Sequence, residues 1–533
     1  MPSASPDEVA RMSLAHLEAL VRVDSQSDEA SDTIPSTEGQ RTLGDQVAAF
    51  FRDLGLEVER DGHANVIATR PGRGAGEGDA PVALMTHLDT SRGTGAVDEL
   101  AILDAWDGRA VPYSANPALQ VDIETYPAAR LFLGQDLVHG PGRAPFGLDN
   151  KLGLAHMMTL ARLLVANPDI GHPPLYLVAR PDEEIGRMAA VEGLADLLAS
   201  RGVAYGYTLD GLEPFEINVE NFNASVAAVH FTTRDLEDWP GPLGRFVTAR
   251  IGGVNTHGAT AKAEGFRAAT RLAAEVVARL TAGGHVPDRI VPVAFASDAL
   301  RDCDGIATFL VGGSDPTAVD AALSALKAAL GAVVDPHVPR GASWEIDEGA
   351  TGTPDRSPLS AASWVMLRYV DRFLGSAPGF TLAAEDSEGF DGYSAPYRAR
   401  PTAEGMRLDV RLRDFGAEGL RARERHVERI AAEAGAGPVE VTAQYVNMGP
   451  RVADRRELVD WPTRAAAAIG AEALVLPIRG GTGVDPFLDR GIPIANLGTG
   501  YFSPESEKEF TSLQMMARHA QWLVALVQTI TAG

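Results

Sequence analysis

The stretch ALMTHLDTS, residues 83–91, closes an apolar run with His87 and Asp89, two positions apart. Strand side chains alternate with period two, so His87 and Asp89 point to one side and Leu88 to the other. Three more acidic clusters follow candidate strands: Asp149 in FGLDNKLG, Asp182, Glu183 and Glu184 in RPDEEIG, and Asp210 in YTLDG. A neutral imidazole with several carboxylates suits a borderline cation such as zinc, with one position left open for water. Each cluster also has a plainer reading. Asp149 precedes an apolar helical run and could cap it, DEE could be a solvated loop, and a strand-end histidine is often a core residue. Four such events at strand ends between positions 87 and 210 favour a shared site, because in open α/β sheets the carboxyl ends of strands line the ligand crevice.

The elements that must bring these residues together are legible as alternation. From 40 to 225, helical stretches such as GQRTLGDQVAAFFRDLG and LGLAHMMTLARLLV alternate with short apolar strands such as NVIATR, VALMTH, PLYLVAR and YGYTLD. This predicts an α/β domain with a parallel or mixed sheet. Near 226 the texture changes to strand, helix, strand units. Two segments, from Gly305 (GIATFLVGGSDPTAVDAALSALKAALGAV) and Gly405 (GMRLDVRLRDFGAEGLRARERHVERIAAEAG), each run glycine, strand, loop, amphipathic helix, then a further strand, SWEIDEG or PVEVTAQYV. The spacing predicts a duplicated strand-helix-strand module. From about 449 the α/β texture returns. The expected division is therefore 1–225 and 449–533 as two parts of one catalytic α/β domain, with 226–448 inserted as an α+β domain.

Composition narrows the function classes. A formal net charge of -25 with a pI near 4.9 argues against nucleic acid and anionic membrane as partners. The lone Cys303 excludes an internal disulfide and fits a reducing cytoplasm. The N-terminal stretch MPSASPDEVARMSLAHLEAL reads as a capped amphipathic helix rather than a signal peptide. No run of 18 apolar residues is found, so no membrane span is expected. A homodimer is compatible with this chain, and acidic charge does not decide it.

Taken in order, THLDTS, FGLDNKLGLA, RPDEEIG, YTLDG, EINVENFNAS, NTHGATAK, RLRDF, YVNM, LPIRGGTG and KEFTSL resemble the peptidase T family, tripeptide aminopeptidases among the di-zinc metallopeptidases. The resemblance covers nearly the whole chain except about 287–382, which holds the first copy of the repeated module. It implies a catalytic domain with a mixed central sheet and a ferredoxin-like lid enlarged by that segment. It also implies zinc as cofactor, a small peptide or amide as substrate, and removal of an N-terminal residue by zinc-activated water. By the same resemblance His87 is a ligand of the first zinc and Asp89 the carboxylate that orients it. Asp149 bridges two zinc ions, Asp210 completes the first site, Glu184 serves the second, and Glu183 is the general base. His257 resembles a lid histidine that stabilises the oxyanion, Arg479 a guanidinium that grips a substrate carboxylate, and Asn223, with Asn221, a contact to the peptide.

Two positions depart from the family pattern. Where the family has a histidine completing the second zinc site, this chain has Lys508, in SPESEKEF. An ammonium repels a metal ion. Three readings follow: the ammonium takes the second metal's place; Glu505, Glu507 or His519 supplies the missing ligand; or the chain binds peptides or carboxylates without hydrolysing them. The other departure is Gly483, where the family has an acidic residue after the threonine. With it, an N-acyl amino acid amidase or deacylase is a further alternative.

Overall fold

The computed structural model describes residues 4–232, 240–258, 260–297, 303–354, 360–376 and 392–532; the side chains of 262 and 263 are not described. The chain forms two compact units: one of residues 1–221, 257–259 and 446–533, the other of 222–256 and 260–445.

The first unit is built on an eight-stranded mixed sheet. Its strands run in the order Glu57–Arg60, Val66–Arg70, Leu175–Arg180, Val82–His87, Tyr205–Gly211, Ile494–Gly498, Glu216–Asn218 and Leu474–Val475. The four inner strands from Leu175–Arg180 to Ile494–Gly498 are mutually parallel, with Thr86 opposite Ala179, His87 opposite Arg180 and Met85 opposite Thr208. Their carboxyl ends therefore share one edge. That register carries His87, Arg180 and Asp210 to the same end of the sheet. Burial on both faces explains the near-continuous apolar runs: Val82 through His87 are all buried, as are Leu177, Val178, Tyr207 and Leu209.

Three helices, Pro6–Val21, Leu148–Ala166 and Leu513–Thr531, pack on one another in this unit. The first starts with the capping box foreseen in its sequence: Ser5 Oγ accepts from the Glu8 amide while the Glu8 carboxylate accepts from the Ser5 amide. The helix Leu148–Ala166 is buried along most of its length, which accounts for its weak amphipathic pattern.

The second unit contains two four-stranded antiparallel sheets of the same strand plan: Ile290–Ser297, Gly305–Gly313, Leu243–Gly252, Ser343–Glu348, and Tyr393–Thr402, Gly405–Asp414, Asn223–Thr232, Val439–Tyr445. In each, a strand, a helix (Pro316–Val334 or Ala417–Glu433) and a strand flank a middle strand. Part of the segment 287–382, namely 298–302, 355–359 and 377–382, lies outside the described residues. The stretch Pro316–Arg340 is long and apolar enough to cross a membrane, with mean hydropathy 1.5, although its apolar residues are interrupted by polar ones. Its Val319, Leu326 and Leu330 are buried in the unit's core, along one face of the helix.

Candidate metal centre

His87 ends its strand fully enclosed. Its Nδ1 lies 2.8 Å from the backbone carbonyl oxygen of Asp89, and its Nε2 faces Asp149 Oδ1 at 3.0 Å and Asp210 Oδ1 at 3.1 Å. If Nδ1 donates to that carbonyl, a neutral imidazole presents a lone pair at Nε2 to two carboxylate oxygens. Only a proton or a cation resolves such an arrangement. Asp89 faces Nδ1 with both its carbonyl, at 2.8 Å, and its carboxylate, at 3.5 Å. That carboxylate is also engaged elsewhere: its two oxygens accept the amides of Glu183 and Glu184, each at 3.0 Å. Asp89 therefore pins the turn that follows the neighbouring strand.

Asp149 sits at a non-helical backbone position (φ -84°, ψ 106°) and turns Oδ1 toward His87 Nε2 at 3.0 Å. Its Oδ2 accepts from the Tyr501 hydroxyl at 3.3 Å, and the next side chain, Asn150, donates to the Leu209 carbonyl at 2.7 Å and to Asp210 Oδ1. The loop before it is gathered by Glu509: Oε2 accepts the amides of Phe146, Gly147 and Leu148, while Oε1 accepts that of Glu505. One buried carboxylate thus ties the loop bearing Asp149 to the loop bearing Glu505.

Among the described residues, two groups of candidate ligand atoms result, each with its atoms within 4.8 Å of one another: His87, Asp149 and Asp210, and Asp149, Glu184 and Glu505. Asp149 belongs to both. Glu184 Oε1 is sealed from solvent with no hydrogen-bond partner, which a buried carboxylate oxygen tolerates poorly unless a cation satisfies it. The donor sets fit divalent cations: ligand atoms ~2.0–2.1 Å from a tetrahedral zinc stand roughly 3.3 Å apart, close to the contacts seen around His87.

The electrostatics agree. Burial alone would push the His87 imidazole down, but Asp210, Asp149 and Asp89 override it and hold it well above its ordinary value. Burial, then the neighbouring Asp210, lifts Asp149 well above the usual carboxylate range. Burial, then Glu505 and Asp149, does the same to Glu184. Glu183 is raised by burial and Asp210, opposed by Arg180. Asp210 goes the other way: His87 outweighs the effect of burial and lowers it. Concentrated negative charge of this kind is what a divalent cation relieves.

Arg180 and Glu509 carry structural duties that the sequence reading did not single out. Arg180, 2% exposed, donates to the carbonyls of Thr482 and Gly483 and stands 3.6 Å from Glu183 Oε1. Its place at a strand end directly before PDEE was the available signal. Gly483 has a local reason to be glycine: its φ is +56°, and a Cβ there would lie 2.5 Å from Arg180 Nη1 and 2.7 Å from Glu183 Oε1.

The remaining candidates fall as follows. Lys508 is buried with Nζ 3.4 Å from Glu507 Oε1. His519 stacks on Phe215 and His156. His257 donates its amide to the Pro504 carbonyl, and its Cε1 lies 3.1 Å from where a Cβ on Gly480 would be, next to the half-buried Arg479. Asn223 lies in the second unit, where its Nδ2 donates to the Phe415 carbonyl at 2.8 Å. Asn221 accepts from the Met448 amide.

Fold and site together set an imidazole and several carboxylates, a donor set that fits divalent cations, at the carboxyl edge of a mixed α/β sheet. No family model matches the chain. Its sequence is 25% identical to peptidase T of Macrococcus caseolyticus over 523 residues, covering 96% of this chain and 97% of the relative. It is likewise 25% identical to peptidase T of Bacillus cereus over 520 residues, covering 95% and 96%. In fold it is similar to a tripeptidase from Staphylococcus aureus (TM-score 0.52, 15% identity, 98% and 99% covered) and to an aminopeptidase from Bacillus cereus (TM-score 0.50, 18% identity, 98% and 99% covered). Over nearly its full length the chain is thus similar to peptidase T.

Proposed function

We propose that the chain is an aminopeptidase of short peptides, with zinc held by His87, Asp149 and Asp210 and a second cation by Asp149, Glu184 and Glu505. The observation that carries this reading is the convergence of those two groups on a shared Asp149, with Glu183 beside them. A divalent cation bound there supplies Lewis acidity toward water and the scissile carbonyl. Glu183, its amide pinned by Asp89 and its carboxylate near Arg180, takes a proton from the attacking water and returns it to the leaving amine. Its raised proton affinity suits that exchange. Arg479 binds the substrate carboxylate, and His257 donates to the developing oxyanion. A single cysteine is consistent with a cytoplasmic setting.

The test pairs metal content with hydrolysis of a free-amine tripeptide and of its N-acetylated counterpart. The expected result is bound metal, cleavage of the free-amine peptide alone, and loss of activity with chelator. Glu183→Gln should cut kcat at least a hundredfold, within the ~10²–10⁴ range for a general base, with metal content unchanged. Cleavage of the acetylated peptide instead would mark a deacylase, and a Glu183→Gln enzyme within twofold of the unaltered kcat would refute the role.

A further inference from the structure

Resting on that reading, the geometry points to two cation subsites of unlike chemistry: an imidazole-bearing one that selects zinc, and an all-carboxylate one, closed by Glu505 rather than Lys508, that accepts a hard cation such as Mn²⁺ or Mg²⁺. The first group offers one nitrogen and two oxygens, while the second, Asp149, Glu184 and Glu505, offers oxygen alone. Imidazole favours zinc and the later transition metals, whereas oxygen-only sets suit Mg²⁺ and Mn²⁺. Loss of the nitrogen donor should therefore narrow the margin by which zinc outcompetes manganese at the second subsite.

Glu505 is held in place, not merely nearby. Its backbone sits at φ +54°, two residues after Ser503 at φ +56°, and its amide is fixed on Glu509 Oε1 at 3.0 Å. Because Glu509 Oε2 holds the 146–148 amides at the same time, Glu505 and Asp149 are set relative to each other by one carboxylate. Opposite them, Glu184 Oε1 is buried without a hydrogen-bond partner. Lys508, at the position where a histidine would supply the missing nitrogen, has its ammonium 3.4 Å from Glu507 Oε1. Its backbone holds the loop: the Lys508 amide donates to Ser506 Oγ at 3.2 Å, and its carbonyl accepts from the Tyr113 hydroxyl at 2.8 Å.

The full-length protein, stripped with chelator, is titrated with Zn²⁺ and Mn²⁺ separately and together. Heat of binding, elemental analysis and the Mn²⁺ paramagnetic resonance signal are read. With zinc limited to one equivalent per chain and manganese in excess, the mixed titration should end with one zinc and one manganese per chain. Glu505→Gln should weaken the manganese site at least tenfold and leave the zinc site within twofold. Glu505→His should shift the second site toward zinc by tenfold or more, and Lys508→Ala should change neither stoichiometry; circular dichroism confirms that each variant is folded. The inference is overturned if two zinc ions bind equally tightly and exclude manganese, if Glu505→Gln retains the manganese site, or if Lys508→Ala alters the ion count. His87→Ala separates the two proposals. Retention of the zinc site in that variant would refute the metal centre itself, whereas its loss, alongside a silent Glu505→Gln, would refute only the inference.

Discussion

Replacing Asp89 by asparagine tests how the site is held. The side chain is fully buried and its two oxygens each accept one backbone amide, from Glu183 and Glu184, at 3.0 Å. Asparagine keeps the shape but can accept only one of them, and its NH2 group meets the other N–H head on. A hydrogen bond to a charged group contributes ~1.5–3 kcal/mol, and a stranded buried donor costs a further ~1–3 kcal/mol. Turn 183–184 must move to relieve a conflict of roughly 3 kcal/mol or more, and it carries both the proposed base and a candidate ligand. Asp89→Asn also removes a negative charge 3.5 Å from His87 Nδ1. A loss of ~10–100-fold in metal affinity or kcat is expected, typical for groups that orient ligands. The assay is metal titration of the stripped protein together with kcat and KM on a free-amine tripeptide, with circular dichroism to confirm the fold. If Asp89→Asn binds metal and turns over within twofold of the unaltered protein, the pinning argument is wrong. Asp89→Ala, which strands both amides, should be at least as damaging.

Two further outcomes concern Gly483 and Glu216. Gly483→Ala places a Cβ against Arg180 and Glu183 at a backbone φ that L residues avoid; kcat should fall at least tenfold with KM little changed, and an unaltered kcat would refute a fixed Glu183 position. Glu216, 6% exposed, is lifted by burial to about 6, against the hydrogen bonds from Asn218, Glu213 and Leu212 that favour its charged form. Between pH 4.5 and 6 the folded state therefore holds more protons than the unfolded one, so this group's contribution to stability is greatest below 4.5 and is lost as pH rises through 6. The difference is worth ~2 kcal/mol. Denaturant unfolding at pH 4.5 and 7.5 should show that difference in the unaltered protein relative to Glu216→Gln, and a flat difference would refute it.

Local rules determined much of this molecule. Period-two alternation placed His87 and Asp89 on one side of a strand end, and the succession of strands and helices implied a mixed α/β sheet whose carboxyl edge collects residues from 87, 149, 184 and 210. These features were legible because each depends on neighbours a few positions away and on the rule that parallel strands end together. The partner of each of those residues was decided only in three dimensions. Sequence offered the Asp89 carboxylate as a partner for His87; the tertiary structure adds that both its oxygens accept the 183–184 amides and that the Asp89 carbonyl also faces the imidazole. Sequence left Glu505, Glu507, His519 and Lys508 all open beside the second cation. The tertiary structure brings Glu505 within 4.8 Å of Asp149 and Glu184 through backbone turned to positive φ and a tie to Glu509, while Glu507 faces Lys508 and His519 stacks in the aromatic core. Those outcomes rest on hydrogen bonds spanning more than 300 positions, such as Glu509 to Phe146, and contacts of that range leave no periodic trace in the chain.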